Sequence, residues 1–130
     1  MDTIFDPLRR ISVPLTPEER VRQDVIAWLR DEQGVPEVMM ASEYGFRYNG
    51  RQYRAEVVVF GRDAAPLLLV ECKAPGVKLD RAVLEQGIRY NRVLSVRYMM
   101  FTNGEQMYFC ERVGQGPEYR FLREIPKIQI

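Results

Sequence analysis

The run Pro66-Leu67-Leu68-Leu69-Val70 constrains the fold more than any other stretch of the chain. It has no alternating polar position. A strand built from it must therefore be covered on both faces, as strands are at the centre of a sheet flanked by helices. Pro75-Gly76 ends the run, but two charged residues appear first, Glu71 and Lys73, on either side of Cys72. Positions i and i+2 of a strand project from one face, so Glu71 and Lys73 point together while Cys72 points away. A carboxylate and an ammonium leaving a buried strand are costly unless paired or solvated. Taken alone, the triplet reads most simply as a surface ion pair at a strand end.

The neighbouring elements follow from local chemistry. Residues 1–15 contain Pro7 and Pro14 and read as an irregular arm. Thr16-Pro17-Glu18-Glu19 is a helix start, with Thr16 as cap, Pro17 at the first helical position and Glu19 completing a capping box. Val21, Val25, Trp28 and Leu29 then form an apolar helical face, which Gly34 and Pro36 terminate. Asn49-Gly50 is a strong hairpin signal between an arm beginning at Glu43 and a second arm, Arg51 to Phe60. After the central strand, Asp80 caps a second helix running to about Leu94. Two strands, Val96 to Thr102 and Gln106 to Val113, follow around Asn103-Gly104. The order is helix, hairpin, central strand, helix, hairpin. That order predicts an α/β fold with a mixed central sheet flanked by helices, a core over 16–113 and an extension over 114–130.

The hairpin brings further carboxylates toward the triplet. With Asn49 and Gly50 as the central turn residues, Tyr48 faces Arg51, and counting outward places Glu43 opposite Glu56 on one face. Opposed like charges are destabilising without a cation nearby. If the second arm lies beside the central strand, Glu43, Glu56, Glu71 and Lys73 converge. Oxygen-rich carboxylate sites of that kind suit Mg²⁺ or Mn²⁺. The alternative for Glu43 is an ordinary solvent-facing strand residue. On the second helix, Gln86 and Tyr90 are four apart and share a face; an aromatic at that spacing is commonly core.

Composition narrows the chemistry. The chain has no histidine, which removes histidine-based nucleophile activation and histidine metal clusters. Its two cysteines, Cys72 and Cys110, lie in apolar strand-like runs, where reduced buried thiols are expected. Formal net charge is +1, so no global attraction to nucleic acid follows. The bases are mostly arginine, however, with lysine only at Lys73, Lys78 and Lys127, and arginine suits bidentate phosphate contacts. No apolar run reaches the roughly 20 residues of a membrane span. The acidic start, Met1-Asp2-Thr3-Ile4-Phe5-Asp6, lacks a signal-type apolar core, so the expected location is the cytoplasm. No Gly-x-x-x-x-Gly-Lys-Ser/Thr element is present, and no ATP use is expected.

The ordered set Glu56, then Pro66-Leu67-Leu68-Leu69-Val70-Glu71-Cys72-Lys73-Ala74-Pro75, then Gln86-x-x-x-Tyr90 resembles the PD-(D/E)XK nuclease superfamily. More narrowly, it resembles the N-terminal nuclease domain of type I restriction enzyme R subunits and its stand-alone bacterial relatives. Val21-Arg22-Gln23, Tyr90-Asn91 and Thr102-Asn103-Gly104 also fit that pattern, so the resemblance spans about Thr16 to Gly104. It implies a restriction-endonuclease-like core and Mg²⁺- or Mn²⁺-dependent hydrolysis of DNA phosphodiester bonds. It implies Glu56 and Glu71 as metal ligands, with the Cys72 backbone carbonyl as a third and Glu43 as the additional upstream glutamate of this branch. Lys73 would orient the attacking water, and Gln86 and Tyr90 would position nucleic acid or the metal shell. The implied partners are DNA and a restriction or helicase-type protein. One departure is Glu56, where aspartate is usual; the added methylene shifts its oxygens by about 1 Å, a displacement that matters in catalytic geometry. Two readings stand beside turnover: a nuclease-fold binding or assembly module, and a plain α/β interaction domain.

Overall fold

The computed structural model describes residues 2–130 and places the central run where its burial demands. A six-stranded sheet has the order β3-β4-β5-β6-β7-β8. Its strands are β3 (Met40–Tyr48), β4 (Arg51–Phe60), β5 (Pro66–Cys72), β6 (Tyr98–Thr102), β7 (Met107–Arg112) and β8 (Tyr119–Phe121). Only β5 and β6 are parallel. The link between them carries helix α2 (Arg81–Asn91), as a parallel pair requires a crossover. The sheet is mixed and flanked by helices, as the element order predicts.

Burial on both faces explains the absence of alternation in β5. Leu68 and Val70 pack with Val21, Val25, Ile26 and Leu29 of helix α1 (Pro17–Asp31), while Leu69 packs on the other side with Val58, Leu84, Met99 and Phe101. Each fully buried side chain of this size contributes about 1.5–3 kcal/mol relative to exposure. Helix α2 lies very close to the sheet at Gly87, where an added Cβ would sit 2.5 Å from the Phe101 ring.

Both helices start as the sequence predicts. Thr16 Oγ1 accepts from Glu19 N–H at 3.1 Å, and Asp80 accepts from Val83 N–H at 3.0 Å. The Glu19 carboxylate does not complete a capping box. It instead takes hydrogen bonds from the Arg9 guanidinium and the Gln23 side-chain amide, while the Thr16 N–H donates to Pro14 O at 3.1 Å.

One further expectation is corrected. Residues 1–15 are not irregular within the described part: β1 (Thr3–Asp6) and β2 (Ile11–Pro14) form an antiparallel hairpin. The buried Asp6 carboxylate closes its turn by accepting from the Leu8 and Arg9 amides, a side-chain turn that lets Arg10 adopt φ 56°. The 114–130 segment supplies edge strand β8. It also caps the end of α1, where Gln33 Oε1 accepts from Ile128 N–H at 2.9 Å. Among the described residues, no helix is long and apolar enough to cross a membrane.

Candidate active site

The β3–β4 register agrees with the hairpin prediction from Tyr48–Arg51 out to Met40–Val59. The ladder is distorted at one place, Glu43, whose φ is 55°. Opposite that position, β4 breaks its own alternation: Ala55 packs on the α2 side, while Val57, two residues on, packs on the α1 side. The carboxylates at 43 and 56 nevertheless point together. The cation between them is Arg22 of α1, whose Nη2 bonds Glu43 Oε1 at 2.8 Å and also bonds Glu56 Oε2.

Glu56, Glu71 and Lys73 line one small cavity of about 90 Å³ together with Arg54 and Asn91. A second depression of about 310 Å³ shares Glu71 and Lys73 and is bounded by Gln86, Gly87 and Tyr90. The structure thus gathers five of the sequence-predicted side chains around two adjoining hollows. Glu43 is the exception. It lines neither hollow, being held by Arg22 and, at 2.9 Å, by Arg54. Glu43 thus joins the other three charged groups only through Arg22, which it shares with Glu56. The Cys72 side chain lies buried among the α1 contacts, so only its backbone can face the hollow.

The two carboxylates of the small cavity have different surroundings. Glu71 accepts from Asn91 Nδ2 at 3.2 Å and stands 3.5 Å from Lys73 Nζ. Asn91 is itself fixed by donating to Gly87 O at 2.9 Å. Glu56 is pushed up to about 7: burial dominates, Arg22 opposes it, and Glu18 and Glu43 reinforce it. Burial alone would lower the Arg22 guanidinium, but Glu56, Glu19 and Glu43 reverse that and hold it above the ordinary arginine value. Arg22 Nε and Nη1 find no hydrogen-bond acceptor among the described residues, although Nη1 stands 3.5 Å from Glu19 Oε1. Both thiols are free and buried, and burial raises both, Cys110 to about 12. Neither is a thiolate nucleophile at neutral pH.

Sequence reasoning did not single out Arg22 or Asn91 as partners of the acids. The signals were present. Arg22 falls on the stripe of Val25, Ile26 and Leu29, where an unpaired charge would be untenable. Asn91 follows Gly87 by one helical turn on the buried stripe of α2.

Glu56 and Glu71 are hard oxygen donors from neighbouring strands, opening on one cavity beside a lysine. That donor set fits Mg²⁺ or Mn²⁺. Among the described residues, no group of three acidic, cysteine or histidine side chains is drawn together to hold an ion. A metal here would rest on the two glutamates, backbone oxygen and water. A family model described as the type I restriction enzyme R protein N terminus matches residues 17–126, which takes in both helices and all six strands of the main sheet. No curated protein gives a significant match to the chain.

Proposed function

The chain belongs to the type I restriction enzyme R protein N-terminus family, and on that premise we propose that it is a Mg²⁺-dependent nuclease domain hydrolysing DNA phosphodiester bonds. The observation that carries this reading is the shared cavity of Glu56, Glu71 and Lys73. In this reading Glu56, Glu71 and the Cys72 carbonyl hold the ion. A bound Mg²⁺ or Mn²⁺ supplies polarisation of a phosphoryl oxygen and a water of lowered pKa, chemistry that needs no histidine. The chain's own groups do the rest. Asn91 fixes the Glu71 carboxylate, so that ligand is preorganised. Lys73 projects its ammonium beside Glu71, where it orients a water and balances charge on phosphate. Gln86 and Tyr90, on the rim of the adjoining hollow, position the nucleic acid. The reading extends to DNA and a restriction or helicase-type protein as partners.

A second reading, a nuclease-fold binding or assembly module without turnover, draws on one observation. Arg22 already neutralises Glu56 from within the protein. Nicking of supercoiled plasmid with Mg²⁺ or Mn²⁺ separates the two. The nuclease reading expects metal-dependent nicking that falls by about 10²-fold or more in Lys73→Ala while DNA binding persists. Nicking that is absent in the parent protein, or unchanged in Lys73→Ala, supports the second reading.

A further inference from the structure

Between Tyr44 and Arg54 the chain holds three arginines and no carboxylate, although acids and bases are nearly balanced overall, at 18 and 19. These residues form the end of the β3–β4 hairpin, with Asn49-Gly50 at its tip. The two faces of the hairpin end differ. One presents Tyr44, Phe46 and Tyr53 as an aromatic ladder, with Phe46 and Tyr53 stacked at 5.3 Å between ring centres and Tyr53 meeting Tyr90 of α2 at 4.9 Å. The other face continues from Glu56 through Arg54 to the Arg47–Gln52 pair, following the alternation of the ladder.

The ladder stiffens the hairpin end and ties it to α2 next to the Glu71–Lys73 hollow. Arg51 adds to that tie from the tip: its guanidinium lies 5.3 Å from the Tyr53 ring centre and 5.7 Å from that of Tyr90. Stacking uses the flat face of a guanidinium and leaves its N–H edges free to bond phosphate. Arg47 and Arg51 are exposed, and among the described residues neither takes part in an ion pair. Arg47 has no side-chain partner among the described residues, and Arg51 contacts only the two aromatic rings.

We propose that the β3–β4 hairpin is a phosphate-binding arm, carrying Arg47 on one face and Arg51 on the other, that holds the DNA backbone beyond the reacting phosphate. The proposal rests on the nuclease reading for the identity of the polymer, and it adds a binding surface outside the cavity. Strand rise sets its reach. Position 52, paired with Arg47, is four residues from Glu56 and Arg51 is five, which is about 14 and 17 Å at about 3.4 Å per residue. One strand of B-DNA carries a phosphate per about 3.4 Å of axis, so the arm meets the backbone about four to five phosphates from the cavity.

The test is binding of a fluorescein-labelled 20-base-pair duplex without divalent metal, followed by anisotropy across a salt series. Each phosphate contact contributes about 0.9 to the slope of log K against log salt. Arg47→Ala/Arg51→Ala is expected to lower that slope by about 2 and to weaken binding about ten- to hundredfold at 0.1 M salt. Arg47→Lys/Arg51→Lys restores the slope if charge on phosphate is the cause. Cooperative thermal unfolding of both variants shows that they fold. An unaltered slope and affinity in the alanine variant overturn the arm, as does failure of the lysine variant to restore the slope. Loss of slope in a protein that never nicks DNA supports the arm and sinks the nuclease reading alone. Nicking with an unaltered slope does the reverse.

Discussion

Glu56 and Glu71 open on the same cavity, yet the two sides of the molecule treat them oppositely. On the α2 side, Glu71 meets a neutral amide donor and a lysine that remains partly exposed. That side is organised by shape: Gly87 admits the Phe101 ring, which brings α2 down and sets Asn91, Tyr90 and Gln86 around the hollow. On the α1 side, Glu56 is crowded by Glu43 and Glu18 and compensated by one buried guanidinium. That side is organised by charge, through a chain of ion pairs from Asp6 and Arg9 by way of Glu19 to Arg22. The shape-built side is a ready ligand. The charge-built side holds a carboxylate whose ionised form is disfavoured in the free protein, the condition a bound cation would relieve.

Removing the compensating charge should break this contrast most severely. Arg22→Met leaves Glu19, Glu43 and Glu56 facing one another, and loss of one partner from a buried ion pair costs about 3–5 kcal/mol. Urea unfolding measures it, and Glu56→Gln in the same chain should recover part of the loss, which a double-mutant cycle reads directly. The α2 side should respond to volume instead. Gly87→Ala drives a methyl into a fully buried ring and should cost about 1–3 kcal/mol, with little dependence on salt.

Glu56→Gln alone should stabilise the protein, with a gain that grows as pH rises above about 4.5 and is nearly complete at neutral pH. Glu56 titrates at about 7 in the folded protein against an ordinary 4.5, so the folded form binds this proton more tightly than the unfolded form. Its contribution is fully present below about pH 4.5 and is lost as pH rises through 7. Thermal melts should therefore show Glu56→Gln gaining on the order of 1–3 kcal/mol at pH 8.5 and almost nothing at pH 4.5. The smallest effects should be symmetric between the sides. Thr16→Ala and Asp80→Ala each remove one helix cap, and each should lower stability by about 1 kcal/mol.

The same contrast shows what the sequence could reveal. The α2 side was readable because its signals are local: an apolar run that ends in Glu71 and Lys73, an Asp80 cap, and Gln86 and Tyr90 one helical turn apart. The hairpin register was readable because Asn49-Gly50 fixes a two-residue turn, and the ladder follows it on both sides of Glu43, where the pairing itself is interrupted. What occupies the space between those acids was not readable. Arg22 reaches them from 34 positions away from Glu56 in the chain, across a helix–sheet contact that periodicity does not encode. The β1–β2 hairpin and β8 were hidden for a related reason. Their strands are four and three residues long, too short for alternation to register, and they are held by the buried Asp6 turn and by pairing with β7.

The most direct test of a single centre with two unlike halves is Mn²⁺ titration of the parent protein, Glu56→Gln and Glu71→Gln, followed by calorimetry or electron paramagnetic resonance. One binding event in the parent, weakened at least tenfold by either substitution, is the result the two-sided site predicts. Mn²⁺ binding to Glu56→Gln with parental affinity would contradict it, because Arg22 would then be the permanent partner of Glu56 and Glu71 would act without it.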